Sequence, residues 1–259
     1  MANLVIVGGS GKVAKLFSQL AVPAGYAVTS LVRSRDHFDA IKQTGATPAL
    51  LDLESAGVTQ LAETLKEADG VLFAAGAGGK GGKERTKAVD EDGAIKVFDA
   101  LERISSTKKP YLILVGALDT RDTSQAPPAH YTEKDIEGSK KAHEAIGAYY
   151  DAKLAADTNL SRRTTFPWTV VRPGHLLDQE ATGQITAGKT GMGGITRADV
   201  AASILALFDL ALKGSESTSS PAGAGLAIDI IQQGTEGNDL PVTEAIKQAV
   251  QKREGSLVV

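Results

Sequence analysis

The sequence predicts an α/β fold, a doubly wound and mainly parallel sheet of about seven strands flanked by helices. Three observations carry this expectation. Short apolar runs alternate with longer stretches of helical period, the order that builds a parallel sheet covered on both faces. The runs are apolar throughout rather than alternating, as strands buried on both faces are. The first run leads at once into Gly8-Gly9-Ser10-Gly11-Lys12-Val13-Ala14, a glycine turn opening a helix, as in Rossmann-type folds. The 259 residues fit one large domain spanning 1–259, since about 150 residues per domain is only a soft prior. No composition shift marks a linker, and no internal repeat is found.

Leu4-Val5-Ile6-Val7 reads as the first strand. Residues 12–20 follow as a helix, with Val13, Leu16, Phe17 and Leu20 on one face. Residues 27–32 form a second strand, and 46–51 a third, weakened by Pro48. A helix over 58–65 and a strand over 70–75 come next. A long helix is expected over 85–104, where Val89, Ala94, Val97, Phe98 and Leu101 recur at helical spacing. A strand over 111–115, a helix over 140–160 and a strand over 168–171, stopped by Pro173, continue the alternation. A helix over 199–212, a strand over 226–231 and a helix over 242–250 complete it. Three stretches read as loops: 76–83, 119–138 and 214–225. Ligands of doubly wound sheets bind outside the carboxyl ends of the strands. Segments 119–138 and 175–194 are therefore expected to shape a substrate pocket, and 214–225 to be a mobile surface connection.

Composition excludes several function classes. With no cysteine there is no disulfide scaffold, no Cys-ligated zinc and no cysteine nucleophile. The 28 basic and 31 acidic residues leave no electrostatic footprint for nucleic acid. The start, Met1-Ala2-Asn3, lacks a signal-peptide pattern, and no run approaches the roughly 18 apolar residues of a membrane span. The expectation is a soluble cytoplasmic protein. The four histidines, 37, 130, 143 and 175, show no metal-ligand spacing, so no metal site is expected. G-x-S-x-G and H-E-x-x-H are absent, which leaves hydrolase chemistry without support. Fourteen of the 28 glycines fall in 8–11, 76–82 and 174–194, where a ligand would approach backbone.

The turn after the first strand has the spacing G-x-x-G-x-x-A. Gly8 permits the sharp turn, and Gly11 lets backbone N–H groups at the helix start approach a pyrophosphate. Ala14 keeps the helix close to the strand. The second strand ends Leu31-Val32-Arg33-Ser34-Arg35. An NAD-binding chain carries an acidic residue about 20 positions after the glycines, bonded to the ribose 2′-hydroxyl. Arg33, with Ser34 beside it, suits a phosphate instead, so the expected cofactor is NADP (NADPH). Asp52-Leu53 would border the adenine, or Asp52 would cap the next helix. Lys80 and Lys83 would face phosphate or simply be solvated.

Of five tyrosines, only Tyr149 has a lysine four residues on, Lys153. The pair shares one face of the helix after the fifth strand. An adjacent ammonium stabilises a phenolate, which suits a tyrosine to proton transfer. The bland alternative is a surface contact on an amphipathic helix. Tyr150 reads as a packing residue. His175 follows Pro173-Gly174 at a strand end and would meet substrate or nicotinamide, or be held by backbone bonds. His130-Tyr131 lies in the long loop and would touch substrate or be solvated. Asp199, three residues after Thr196, has the spacing of a helix N-terminus and reads as structural.

An ordered series of segments resembles the short-chain dehydrogenase/reductase superfamily, and within it the atypical, NmrA-like NAD(P)-binding branch with its poorly characterised fungal members. The segments are Val7–Lys15, Leu31–Ser34, Phe73–Gly81, Val89–Ala100, Tyr149–Lys153, Val170–Leu176 and Gly193–Ala201. The resemblance implies that Ala74, Ala75 and Gly76 line the cofactor and that Pro173, Gly174, His175 and Leu176 lie near the nicotinamide. It also implies that Tyr149 donates a proton and that Lys153 holds the ribose. One departure stands out. The family usually carries a serine or threonine at the end of the fifth strand, where this chain has Val115-Gly116-Ala117-Leu118. Thr120 is the nearest hydroxyl, and loss of such a hydrogen bond lowers rates about a hundredfold or more.

The resemblance implies an NADP-dependent oxidoreductase, a monomer or homodimer, reducing a small carbonyl, quinone or conjugated substrate. The alternatives are a non-catalytic NADP sensor or scaffold, an NADP-dependent isomerase, and a flavin or quinone reductase.

Overall fold

The computed structural model describes residues 1–78, 81–214, 220–232 and 238–255. Its first half alternates β1 (Asn3–Val7), α1 (Lys12–Ala21), β2 (Ala27–Val32), α2 (Phe38–Lys42), β3 (Thr47–Leu50), α3 (Val58–Leu65) and β4 (Gly70–Phe73). After β4 come α4 (Gly82–Thr86), a π-helical turn (Lys87–Asp92), α5 (Gly93–Arg103), β5 (Tyr111–Val115) and α6 (Glu133–Ser161). The remainder is β6 (Trp168–Pro173), β7 (His175–Leu177), β8 (Gln184–Gly188), β9 (Gly194–Thr196), α7 (Arg197–Leu212), β10 (Leu226–Ile231), β11 (Leu240–Pro241) and α8 (Val242–Lys252).

The sheet order is β11-β8-β10-β6-β5-β4-β1-β2-β3. The seven expected strands form its continuous parallel block, from β10 to β3. Every residue of β4, β6 and β10 is buried, which explains why these strands are mostly apolar; Thr169 and Arg172 in β6 and Asp229 in β10 are buried polar exceptions. The sheet has nine strands rather than seven, because β8 and β11 extend the β10 edge in antiparallel fashion. β7 and β9 make a separate two-stranded parallel sheet. These short strands carry too few residues for a readable period, so the sequence reading places no strand in segment 175–194. Chain direction changes side between β1 and β4, which makes their carboxyl ends the switch point of the sheet.

Two apolar cores flank the sheet. One gathers Phe17, Ile204, Phe208 and Ile246 from α1, α7 and α8. The other gathers Leu61, Leu65, Val97, Phe98 and Leu160 from α3, α5 and α6. Phe208 lies 5.7 Å from Phe17 and edge-on to Tyr111 at 6.1 Å.

Several boundaries differ from the sequence reading, most by one or two residues; three bear on the site. The helix expected over 85–104 is broken by the π turn, which directs Asp90 inward to 2% exposure. α6 begins at Glu133 rather than 140, because Thr132 and Asp135 form a capping box, so the loop read as 119–138 ends at Thr132. α6 is kinked at Ile146 (φ −134°, ψ 38°), one turn before Tyr149. β6 runs on to Pro173, which sits at its last position and pairs with Ile230. Lys80, and residues 215–219 of the expected surface connection, lie outside the described residues.

Candidate active site

The phosphate loop is as tight as its glycines require. Gly8 sits at φ +87°, and a Cβ there would lie 2.5 Å from Cα of Ala75. A Cβ on Gly9 would lie 2.5 Å from that of Ser30. Gly9 N donates to Leu31 O and Gly11 N to Gly8 O, which ties the loop to β2 and to itself. Gly11 is the N-cap of α1 and supplies no side-chain cap, so the first-turn N–H groups meet no side chain there. Val13 and Ala14 face the core, so Val13 would offer a ligand only its backbone. Lys12 is exposed and pairs with Asp178 at 2.8 Å; Arg197 takes the other oxygen of Asp178 at 2.7 Å.

A cleft of about 180 Å³ opens at the carboxyl ends of β1, β2, β3 and β4. Gly8, Ser10, Gly11, Arg33, Asp52, Leu53, Ala74, Ala75 and Gly76 all line it, so the structure brings half of the expected cofactor residues together. Two further charged side chains line it that sequence reasoning missed, Glu54 and Arg85. Arg33 Nη1 lies 3.5 Å and Arg85 Nε 3.6 Å from the same oxygen, Oε1 of Glu54. The turn carrying Glu54 is fixed from α5, where Lys96 Nζ donates to the carbonyls of Leu53, Glu54 and Ala56 at 2.6, 3.1 and 3.2 Å. Asp52 accepts from Glu54 N at 3.1 Å and from the Ser55 hydroxyl at 3.2 Å, so it both borders the cleft and closes the turn. Ser34 lies outside the lining. Its hydroxyl donates to Asp36 at 2.8 Å and accepts from Asp36 N, capping the short 3₁₀ turn Arg35–His37.

Beyond this cleft, across β5, lies the tyrosine–lysine pair. Lys153 is buried. Its Nζ donates to Val115 O at 3.1 Å and lies 3.1 Å from Asp90 Oδ1. Asp90 Oδ2 accepts from Ala77 N at 3.0 Å, so the carboxylate joins α6 to the chain leaving β4. Burial alone would press the Lys153 ammonium toward its neutral form. The charge of an ionised Tyr149 and the Asp90 carboxylate outweigh that, and its pKa is raised. Lys153 Nζ stands 5.5 Å from the centre of the half-buried Tyr149 ring. An ammonium has three N–H donors. Two have partners among the described residues, which leaves one for the Tyr149 side. Tyr150 is buried, as expected, and stacks on His143 at 4.0 Å. Burial and the nearby Asp119 charge push its phenol up to about 12.

The end of β5 explains the missing serine. A Cβ on Gly116 would lie 2.8 Å from Val170 Cγ1 and 3.2 Å from Arg172 Cγ. Thr120 does not replace it, because its buried hydroxyl donates back to Ala117 O at 2.7 Å. Asp119, at φ +62°, organises the loop that follows. Its carboxylate takes Arg121 Nε at 2.8 Å, the Tyr131 hydroxyl at 3.1 Å and His143 Nε2 at 3.1 Å. Burial first, and then the Asp119 charge, push the Tyr131 phenol up. His130 Nε2 lies 3.0 Å from Thr190 O, joining this loop to segment 175–194.

Gly174 approaches Gly193 so closely that a Cβ would lie 2.2 Å from its carbonyl oxygen. Pro173 is buried beside it. Leu176 is half-buried against the α7 side of the sheet, and His175 is exposed, its backbone N donating to Gly193 O at 2.9 Å. None of these four lines the cleft around Arg33. Asp199 stands at a helix N-terminus, as the sequence indicated: Thr196 is the N-cap of α7, its hydroxyl accepting from Asp199 N at 3.1 Å. Among the described residues no group of three His, Asp or Glu side chains could hold a metal ion, and no helix is long and apolar enough to cross a membrane.

Residues 8–210 match the NAD(P)H-binding family. The chain belongs to that family. A UPF0659 protein of Schizosaccharomyces pombe is 40% identical over 260 residues, covering 99% of this chain and 98% of the relative. An uncharacterised sugar epimerase of Bacillus subtilis is 31% identical over 248 residues, 95% of this chain and 99% of its own. Among solved structures, a candidate NAD-dependent epimerase/dehydratase of Bacillus halodurans superposes with a TM-score of 0.74 at 25% identity, over 96% of this chain and 100% of that one.

The residues present fit a nicotinamide dinucleotide, as expected of this NAD(P)H-binding family. The phosphate loop packs against Ala75 and Ser30 too closely for a Cβ at Gly8 or Gly9, Gly11 leaves the start of α1 without a side-chain cap, and the adjoining cleft continues along the strand ends. The missed residues had weak signals. Asp90 belongs to the Val89–Ala100 segment, but only the π turn gives it an inward direction. Glu54 and Arg85 follow no spacing rule relative to Arg33.

Proposed function

We propose that the chain is an NADP-dependent oxidoreductase of the atypical short-chain dehydrogenase, NmrA-like type, reducing a small carbonyl, quinone or conjugated compound. The observation that carries this reading is the buried Lys153 ammonium, fixed by Asp90 and Val115 O, with Tyr149 one turn before it. A nicotinamide bound along the strand ends would supply the hydride. Lys153 would hold a ribose hydroxyl with its remaining N–H and stabilise negative charge on Tyr149. Tyr149 would deliver its hydroxyl proton to the substrate oxygen as hydride reaches the adjacent carbon. With Gly116 where a second hydroxyl would stand, Tyr149 is the principal polarising group, which favours activated carbonyls and quinones. Arg33 at the end of β2, where a carboxylate would select NAD, supports NADP.

The test is NADPH oxidation across a panel of carbonyls and quinones, with Tyr149→Phe as the variant. Turnover is expected to fall by a factor of about 10²–10⁴ with NADPH binding intact. Full turnover in the variant would remove Tyr149 from the chemistry. A second reading, an isomerase that uses the dinucleotide internally, is favoured by the 31% identity to a sugar epimerase over nearly the whole chain. It requires interconversion of two substrate isomers with no net NADPH consumption.

A further inference from the structure

Arg33, Glu54 and Arg85 come from three separate segments, the end of β2, the turn after β3 and α4, yet converge on one carboxylate oxygen at the rim of the cleft. Two guanidiniums facing one carboxylate leave an uncompensated positive charge. The contacts, at 3.5 and 3.6 Å, are longer than the 2.7–2.9 Å of strong charge-assisted hydrogen bonds. Glu54 therefore bridges the pair loosely. Its side chain is 38% exposed, so it can turn to solvent without burying its charge elsewhere. Arg85 is the more enclosed of the two arginines, 28% against 57% exposed. Its direction is set by Gly81, at φ +87°. A Cβ there would lie 2.6 Å from Cδ of Arg85, so the arginine stem lies where no side chain could stand. A phosphate monoester brings a charge of about −1.5 to −2 and three acceptor oxygens, which matches two guanidinium forks better than one carboxylate does.

We propose that Arg33 and Arg85 form a two-arginine clamp for a phosphate on the adenosine 2′ position, and that Glu54 is its built-in competitor. Glu54 bridges the clamp when no phosphate is there and is displaced when one binds. The inference rests on the NADP reading above and deepens it. It assigns Arg85 a specificity role, and it makes Glu54 a residue that weakens binding of the phosphorylated ligand while leaving the 2′-hydroxyl ligand untouched.

Adenosine 2′,5′-bisphosphate and AMP, titrated calorimetrically into the full chain, test this without involving nicotinamide chemistry. The wild type is expected to bind the bisphosphate more tightly than AMP. Arg85→Ala should weaken the bisphosphate by about tenfold or more with AMP unchanged. Glu54→Gln should tighten the bisphosphate by about twofold to fivefold, the competition expected of an exposed ion pair, with AMP again unchanged. If the wild type shows no preference for the bisphosphate, the NADP reading falls and the clamp with it. If it does show that preference and Arg85→Ala preserves it, or Glu54→Gln loosens AMP or leaves the bisphosphate unmoved, the clamp and its competitor are overturned while the NADP reading stands.

Discussion

Lys153 and Asp90 form a buried ion pair, Nζ to Oδ1 at 3.1 Å, with side chains 5% and 2% exposed. Neither charge would be stable there alone, since an unpaired ion in such a site carries a desolvation penalty of several kcal/mol. The pair joins α6 to the end of β4 and so holds Tyr149 relative to the strand ends.

Asp90→Asn should therefore act on stability and on chemistry together. Removing one partner of a buried pair destabilises by about 3–5 kcal/mol, readable in urea unfolding. Because the Lys153 pKa is raised in the folded state, its contribution is fully present below pH 10.5 and is lost as pH climbs through the folded value. The stability difference between wild type and the Lys153→Met/Asp90→Asn double variant, which leaves no unpaired buried charge, should hold constant from about pH 7 to about pH 10.5 and narrow only above it. Narrowing that begins near neutral pH would contradict the assignment.

Gly8→Ala and Gly25→Ala separate backbone strain from close approach. Both glycines have similar positive φ, +87° and +91°, but a Cβ at Gly25 meets nothing within 4 Å. Gly25→Ala should cost about 1–2 kcal/mol, the left-handed penalty alone. Gly8→Ala adds the 2.5 Å approach to Ala75 and should both lower Tm further and abolish dinucleotide binding. Equal losses in the two variants would show that the phosphate loop can yield.

Gly116→Ser would supply the hydroxyl that the proposed resemblance to short-chain dehydrogenases calls for, yet it should not raise turnover. Its Cβ would press on Val170 and Arg172, and overpacking of this kind costs about 1–3 kcal/mol. A lower Tm with unchanged or reduced NADPH oxidation is expected. A rise in turnover would mean that β5 and β6 separate easily at this point.

Asp135 ties the start of α6 to segment 190–192, accepting from Thr132 N at 2.9 Å and Met192 N at 2.7 Å. Burial would raise its pKa, but the hydrogen bonds from Thr132 and Met192 win and it is lowered. Its stabilisation is thus present above pH 3.8 and lost as pH falls through the lower folded value. Asp135→Ala should cost about 1–2 kcal/mol near neutral pH, as lost helix caps do. The wild type and the variant should converge in denaturant titrations run well below pH 3.8.

Much of this molecule was legible in its sequence, because the legible parts are local. A strand buried on both faces is apolar along most of its length, so β1, β4, β5, β6 and β10 could be read directly, although β6 also buries Thr169 and Arg172 and β10 buries Asp229. A helix with one buried face repeats at its own period, which located α1 and α5. Gly8 declared a turn that only glycine permits, and Tyr149 and Lys153, four apart, had to share a helix face. Contacts between distant segments are another matter, since no period relates their partners. That Asp90 neutralises Lys153 depends on a π turn aiming a carboxylate across the sheet end. That Glu54 stands between Arg33 and Arg85 depends on how three loops converge. The antiparallel edge of β8 and β11 arises because β10 leaves a backbone edge to be paired, not because five residues near Ile185 demand a strand. The sequence alone determined the layers and the phosphate turn; tertiary packing decided which charges meet.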